Sequence, residues 1–225
     1  SKAGDVFSVT GNTVPGNDNP TESVLTIGTD VNVEAYWNCI WIAGNGAKAN
    51  VYGSLSSTGQ YAVIQGNGTV DGDTDNGGTV VNIYDGASVI HEGSDSNAHM
   101  AIYQPQAGTL NIYGGTISAT QTGSTAVEVR AGTLNISGDA VITGGSGEPS
   151  STPNGNGSTT SNAAVAIAQH TTKKPITVNI TGGTLKGGAA LYESDPNHVY
   201  EDGSANKPDI DVTGGKFAGA VSANN

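Results

Sequence analysis

Two short patterns of apolar and polar residues alternate along the chain. In the first, apolar residues flank an Asn or Asp, and a glycine pair or a glycine beside Asp follows. Its clearest copies occupy residues 79–86, 109–115, 133–139, 177–183 and 209–215. The second is a short apolar run, and its copies begin at Cys39, Ala62, Ala101, Ala126, Ala164 and Ala190. Alternation of apolar and polar positions is typical of strands with one buried face, so both patterns predict short β-strands.

Repetition of these strands predicts the architecture. A short third strand follows the glycines, so the repeating unit is three strands joined by turns. One such unit cannot bury its apolar face alone, whereas stacked units share a core and pair their backbones with their neighbours. The sequence therefore predicts an all-β protein, a parallel β-helix (β-solenoid) of about seven coils. Glycines are expected at the coil corners, where the backbone turns sharply.

The repeats also divide the chain. Residues 1–22, which include Pro15 and Pro20, are expected to form an N-terminal segment or cap. Residues 23–225 are expected to form a single β-helix domain. Stretches rich in glycine and polar residues predict long loops near 66–78, 144–162 and 193–208.

Alternation assigns the residues of the first pattern to faces. The residue between two inward apolar positions points outward, and stacked coils place these residues in one column. That column contains Asn50, Asn82, Asn111, Asn135, Asn179 and Asp211. We expect it to be a structural ladder of hydrogen-bonded amides. Two positions along, a second outward column begins with Tyr52, Tyr84 and Tyr113.

The same reasoning applies to the second pattern. Its inward residues are predicted to be Ile40, Val63, Ile102, Val127, Val165 and Leu191. Its outward residues are predicted to be Trp41, Ile64, Tyr103, Glu128, Ala166 and Tyr192. Polar residues follow near the coil corner, namely Gln65, Gln104, Arg130, Gln169 and Glu193.

Composition agrees with an extended β architecture. Of 225 residues, 34 are Gly, and 12% are charged. Glycine and β-branched residues disfavour helices. Collagen is excluded because the glycines have no strict three-residue period. The net charge is −12, and the eight basic residues are scattered along the chain. Both facts argue against nucleic acid as a partner, because binding it requires clustered positive charge. Without a long apolar run, no membrane insertion is expected. The single Cys39 cannot form an internal disulfide.

The patches Thr-Leu-Asn-Ile-x-Gly-Gly-Thr-Ile and Ile-Thr-Val-Asn-Ile-Thr-Gly-Gly-Thr-Leu resemble right-handed, pectate-lyase-like β-helix domains of bacterial secreted and cell-surface proteins. The resemblance covers roughly residues 24–217. It implies an extracellular or cell-surface location, but the same coil carries lyases, glycosidases, adhesins and stalks. The basic catalytic stretch of the lyases has no counterpart beyond Arg130. The Asn-x-Asp, Asp-Asp, Gly-His-Gly and Arg-x-Lys motifs of the glycosidases are absent from the sequence.

The outward aromatic residues suggest a glycan-binding surface. Sugars stack their C–H faces on aromatic rings and need amides or carboxylates for their hydroxyls. The candidate site combines three aromatic residues with neighbouring polar ones, namely Trp41, Tyr103, Tyr192, Gln65, Gln104, Glu128, Arg130 and Glu193. The column of Tyr52, Tyr84 and Tyr113 is a second candidate. The alternative for both is that the rings simply stack between neighbouring coils.

One acidic stretch resembles the start of a calcium loop. Asp71, Asp73 and Asp75 stand at alternate positions, as oxygen ligands for Ca²⁺ would. The stretch departs from that motif at Asn76, where glycine is required, and at Asn82, where Glu is expected. A solvated acidic turn is the alternative, and no cofactor is required.

These observations favour a non-catalytic adhesion or carbohydrate-binding module of a bacterial surface protein, whose ligand is a glycan or another component of a host or plant surface. We expect it to be one part of a larger multidomain protein. One alternative is a glycoside hydrolase or polysaccharide lyase that uses Asp71, Asp73 or Asp75 with Glu128 or Arg130. Another is a passive stalk or a protein-binding adhesin segment, in which the loops carry recognition.

Overall fold

The computed structural model describes residues 4–12, 22–66, 77–93, 99–154, 157–169, 174–194 and 208–222. These residues form twenty-two β-strands and no helix. In chain order the strands are β1 Phe7–Thr10, β2 Ser23–Ile27, β3 Asn32–Ala35, β4 Ile40–Ala43, β5 Ala47–Val51, β6 Ser54–Ser57, β7 Ile64–Gly66, β8 Thr79–Ile83, β9 Ser88–His91, β10 Met100–Gln104, β11 Gly108–Ile112, β12 Thr116–Ser118, β13 Thr125–Val129, β14 Gly132–Ile136, β15 Val141–Thr143, β16 Ser150–Asn154, β17 Gly157–Ser161, β18 Ala163–Ile167, β19 Ile176–Ile180, β20 Thr184–Glu193, β21 Asp209–Val212 and β22 Lys216–Ser222.

The strands associate in parallel sheets that are connected by repeated crossovers. One sheet has the order β2-β5-β8-β11-β14-β19-β21. The other runs β1-β4-β7-β10-β13-β18-β20 and continues through β15-β12-β9-β6-β3, with β22 beside β20. The ten-residue β20 joins its two arms, because its first residues pair with β15 and its last with β18. The all-β prediction is confirmed, and the architecture is a parallel β-solenoid-like one.

The core lies between the sheets and consists of stacked aliphatic columns. Leu110, Leu134 and Val178 are neighbours in register on β11, β14 and β19. All three are completely buried, as the alternation predicted. Burying a Leu, Ile or Val side chain contributes about 1.5–3 kcal/mol relative to its exposed state. Repeated once per strand, this burial holds the coils in register.

The asparagine column forms the predicted ladder. Asn50, Asn82, Asn111, Asn135 and Asn179 are paired in register through the seven-stranded sheet. Each amide from Asn82 onward donates from Nδ2 to Oδ1 of the preceding asparagine, at 2.8–2.9 Å. The amides satisfy one another along the stack, so this column is a structural element.

Glycines stand at the coil corners, as expected. Gly115 has φ +80° and follows β11, and Gly138 has φ +61° and follows β14. A Cβ at Gly138 would lie 2.1 Å from the carbonyl oxygen of Tyr113 in the neighbouring coil. Any larger residue there would both strain the backbone and clash with that coil.

Two segments outside the regular coils contain strands. Residues 144–162, predicted as a loop, contain an antiparallel hairpin of β16 and β17. The low-complexity composition concealed two strands, because Ser and Thr pair well when a tertiary surface supports them. Within residues 1–22, β1 pairs with β4 as the edge strand of its sheet. Most of the predicted loops at 66–78 and 193–208 lies outside the described residues.

Candidate functional site

The outward column on the β4-β7-β10-β13 sheet is defined by backbone register. Trp41 pairs with Gln65, Gln65 with Tyr103, and Tyr103 with Glu128. The column continues through Ala166 to Tyr192. Most of the predicted outward residues therefore share one face, and the order in which they stack is now known.

The assignment of Ile64 to the outward column was wrong. Ile64 pairs with Ile40 and Ile102, and its side chain is only 1% exposed. Gln65, predicted near the corner, takes the outward position instead. Residues 62–64 are three apolar residues in succession, so alternation alone could not decide which of them begins the inward series. Val63 is also buried, but it precedes β7.

A pocket of about 150 Å³ opens on this face of the solenoid. It is bounded by the segment before β7 on one side and by the end of β16 on the other. The residues that line it are Gln60, Tyr61, Ala62, Gln65, Met100, Tyr103, Arg130 and Asn154. Three predicted site residues, Gln65, Tyr103 and Arg130, are thus brought together. The other five were missed by the sequence prediction.

One member of an aromatic pair, Tyr61, lines this pocket. Trp37 and Tyr61 meet edge to face, with ring centroids 5.2 Å apart and an interplanar angle of 87°. Tyr61 lines the pocket and is 37% exposed. Trp37 lies three residues before Ile40, and Tyr61 lies three residues before Ile64, which pairs with Ile40 in register. A correct register at Ile64 would have revealed them, because it aligns Trp37 with Tyr61.

A buried ion pair lies beside the pocket, and its arginine, Arg130, is one of the lining residues. The Nε of Arg130 donates to Oε1 of Glu128, and both side chains are almost completely buried. The β16–β17 hairpin covers the pair. Oε2 of Glu128 accepts hydrogen bonds from the Thr160 hydroxyl and its backbone N–H, and Nη2 of Arg130 donates to the Ser158 carbonyl. Glu128 was predicted as a solvent-facing ligand contact; it faces outward from the solenoid but lies beneath this hairpin.

Tyr103 lines the pocket and contacts the arginine of the ion pair. Cζ of Arg130 is 5.0 Å from the centroid of the Tyr103 ring, a cation–π arrangement. Burial raises the pKa of Tyr103 to about 12, the Arg130 charge lowers it and the Glu128 charge raises it. Burial lowers the pKa of Arg130, but the charge and hydrogen bond of Glu128 together with Tyr103 raise it, and the net direction is upward. Tyr103 is therefore a neutral hydroxyl at physiological pH, next to a charged guanidinium.

The remaining predicted contacts lie outside the pocket. Trp41 is half-buried beside Gln65 in register. Gln104 is 3% exposed, and its Nε2 donates to the carbonyls of Gly108 and Ala131 at the coil corner. Glu193 is also buried, and Tyr192 packs against a small alanine cluster around Ala166. Gln104 and Glu193 point away from the outward column because they are one residue out of its alternation.

The tyrosine column borders the other sheet and is stacked on itself. Tyr52 and Tyr84 are parallel, with centroids 4.2 Å apart and an interplanar angle of 4°. Tyr84 and Tyr113 are 5.3 Å apart and tilted by 30°. Ring faces that pack on one another cannot also stack on a sugar. This geometry favours the structural interpretation of the tyrosines that the sequence left open.

The acidic stretch of Asp71, Asp73 and Asp75 lies outside the described residues. Within the described ranges, no three His, Cys, Asp or Glu side chains are grouped closely enough to hold a metal ion. The thiol of Cys39 is buried, and burial raises its pKa to about 12. Its Sγ lies 3.1 Å from the Ser56 carbonyl oxygen.

Comparisons with known proteins do not indicate a function. No protein-family model, curated protein or solved structure matches the chain. In the part of the chain that the structure describes, no helix is long and apolar enough to cross a membrane. The geometry of the pocket is therefore the basis for any assignment of function.

Proposed function

We propose that the protein is a non-catalytic carbohydrate-binding module and that the pocket beside Tyr61, Gln65 and Tyr103 is its binding site. The observation that carries this proposal is the combination of aromatic rings and an amide around one concave surface. Aromatic faces accept the C–H faces of sugars, and amides and hydroxyls pair with sugar hydroxyls.

The size of the pocket supports recognition of a single sugar residue. Drug-sized ligands occupy pockets of about 300–1,000 Å³. The present pocket, at about 150 Å³, is smaller than that range. A terminal sugar, or one side branch of a longer glycan, is the ligand of matching size. The half-buried Trp41, adjacent to Gln65 in register, extends the same face for further contacts.

The protonation and packing of the site favour binding over turnover. General acid–base catalysis needs a group that reaches the substrate and has a pKa near the working pH. The raised pKa of Tyr103, about 12, keeps its hydroxyl protonated. Glu128 is fully enclosed and is held by Arg130 and Thr160. Neither group is arranged to abstract a proton from a sugar in the pocket.

The proposal also covers the type of solenoid and its setting. We propose a right-handed, pectate-lyase-like β-helix of seven coils, one for each strand of the seven-stranded sheet. It would act at a bacterial cell surface as one part of a larger protein that contacts host or plant glycans. Calcium at Asp71, Asp73 and Asp75 would be an accessory to this role.

Glycan binding can be tested on an array of host and plant oligosaccharides, followed by calorimetric titration. Tyr61→Ala should weaken binding about tenfold or more, as central aromatic contacts commonly do. Tyr113→Ala is a matched control, because Tyr113 is similarly exposed, at 44%, but borders the other sheet. It should bind as the wild type does.

Three outcomes would contradict the proposal in different ways. No binding to any glycan by the wild-type protein would favour the stalk or protein-binding alternative. Binding that is lost equally in both tyrosine variants would place the site elsewhere. Release of reducing ends or unsaturated products, with or without calcium, would show that the protein is an enzyme.

A further inference from the structure

We infer that the pocket selects uncharged sugars over sugar acids, and that Glu128 is the residue that sets this selection. The inference rests on the proposed function, since it specifies the ligand of the same pocket. It concerns the guanidinium of Arg130, which would otherwise be the natural partner for a carboxylate.

Arg130 is the one charged residue among the eight described residues that line the pocket. An arginine that faces a pocket commonly binds carboxylates through two parallel N–H···O bonds. In this protein Nε of Arg130 donates to Glu128, and Nη2 donates to the Ser158 carbonyl. One face of the guanidinium lies over the Tyr103 ring. At least two of the five N–H donors of Arg130, including Nε, are thus bonded to the protein itself.

The charge of Arg130 is also neutralised where a ligand would meet it. A ligand carboxylate that reached the guanidinium would approach the Glu128 carboxylate, which is hydrogen-bonded to the same group. Both side chains are almost completely buried, and electrostatic interactions are much stronger there than in water. Glu128 would therefore repel the second anion and offset part of its attraction to Arg130. A neutral hydroxyl carries no such penalty.

The hairpin fixes this arrangement. Thr160 on β17 donates to Oε2 of Glu128 from both its hydroxyl and its backbone N–H. These bonds hold the carboxylate in place, so that it cannot turn away when a ligand binds. The net charge of −12 adds a longer-range repulsion of anionic glycans, which salt screens beyond about 8 Å.

The experiment uses pairs of oligosaccharides that differ only in a C6 hydroxymethyl or a C6 carboxylate, titrated against the full chain. The wild type should bind the neutral member of a pair about tenfold or more tightly. Glu128→Gln keeps an oxygen acceptor for Arg130 but removes the negative charge. This variant should shift the ratio about tenfold toward the acidic member. Glu34→Gln, an exposed residue on β3, changes the net charge equally and should leave the ratio unchanged.

Each outcome decides one point. Equal or tighter binding of the acidic member by the wild type would overturn the inference and leave the binding module standing. An unchanged ratio in a folded Glu128→Gln variant would remove Glu128 as the selecting residue. If that variant fails to fold, the wild-type ratio still decides whether uncharged sugars are preferred. Binding of neither member of any pair would contradict the proposed function itself.

Discussion

The outward faces of the two parallel sheets are built on opposite principles. Beside the seven-stranded sheet, identical residues repeat from coil to coil, as in the amide ladder and the stack of Tyr52, Tyr84 and Tyr113. On the other sheet, successive coils place Trp41, Gln65 and then Tyr103 at equivalent positions. Like residues satisfy one another along the axis, whereas unlike residues leave groups that face outward. Regularity thus indicates structure, and its interruption indicates a candidate site.

The hairpin of β16 and β17 reinforces this difference. It is inserted between β15 and β18, and it covers the Glu128–Arg130 pair while contributing Asn154 to the pocket wall. The repeated coils alone would leave that part of the sheet as a flat surface. An insertion of this kind creates a concavity without disturbing the stacked core.

The largest expected effect comes from breaking the covered ion pair. Glu128→Ala should lower the free energy of unfolding by about 3–5 kcal/mol, because it leaves the Arg130 charge buried without its carboxylate. Chemical denaturation measures this change. Glu34→Ala, an exposed control, should stay within about 0.5 kcal/mol of the wild type. Equal losses of unfolding free energy in the two variants would mean that the Glu128–Arg130 pair does not stabilise the fold.

A smaller loss of stability is expected on the seven-stranded sheet, which carries the asparagine ladder. Asn111→Ala removes one amide that donates to Asn82 and accepts from Asn135, so two ladder bonds are lost. Unfolding should become easier by about 1–3 kcal/mol. Thr109→Ala is the control on the same strand, and it leaves the ladder intact. Denaturant titration of both variants would show whether the amides stabilise the stack or merely line it.

The tyrosine stack tests whether ring packing and ligand binding are separate. Tyr84→Ala removes the central ring and should cost about 0.5–1.5 kcal/mol of stability for each lost ring contact. Its glycan affinity should equal that of the wild type, because the stack borders the other sheet. Thermal unfolding and titration of one sample give both values. Reduced affinity would make the stack a second binding surface.

The face of the seven-stranded sheet, with its asparagine ladder, was predictable from sequence. The face of the other sheet, with the pocket, was predictable only in part. A constant spacing between apolar and Asn positions predicts the ladder directly, and identical residues make errors of register visible. At residues 62–64 three apolar side chains follow one another, so the register slipped by one and the pairing of Trp37 with Tyr61 was missed. The closure of Ser158 and Thr160 over Glu128 depends on a tertiary contact that no local pattern encodes.

The smallest expected effect on stability near neutral pH comes from Tyr103. The test asks whether its hydroxyl stays protonated over the pH range in which glycans bind. Because burial raises its folded-state pKa from 10.0 to about 12, the folded protein retains the proton longer than the unfolded chain does. This contribution to stability is complete below about pH 10 and is lost as the pH rises toward about 12. Tyr103→Phe should remove that alkaline component, measured against Cys39→Ala because the thiol titrates over an overlapping range. Glycan affinity that changed between pH 6 and pH 9, both rough limits well below the Tyr103 pKa, would show that another group titrates in the pocket.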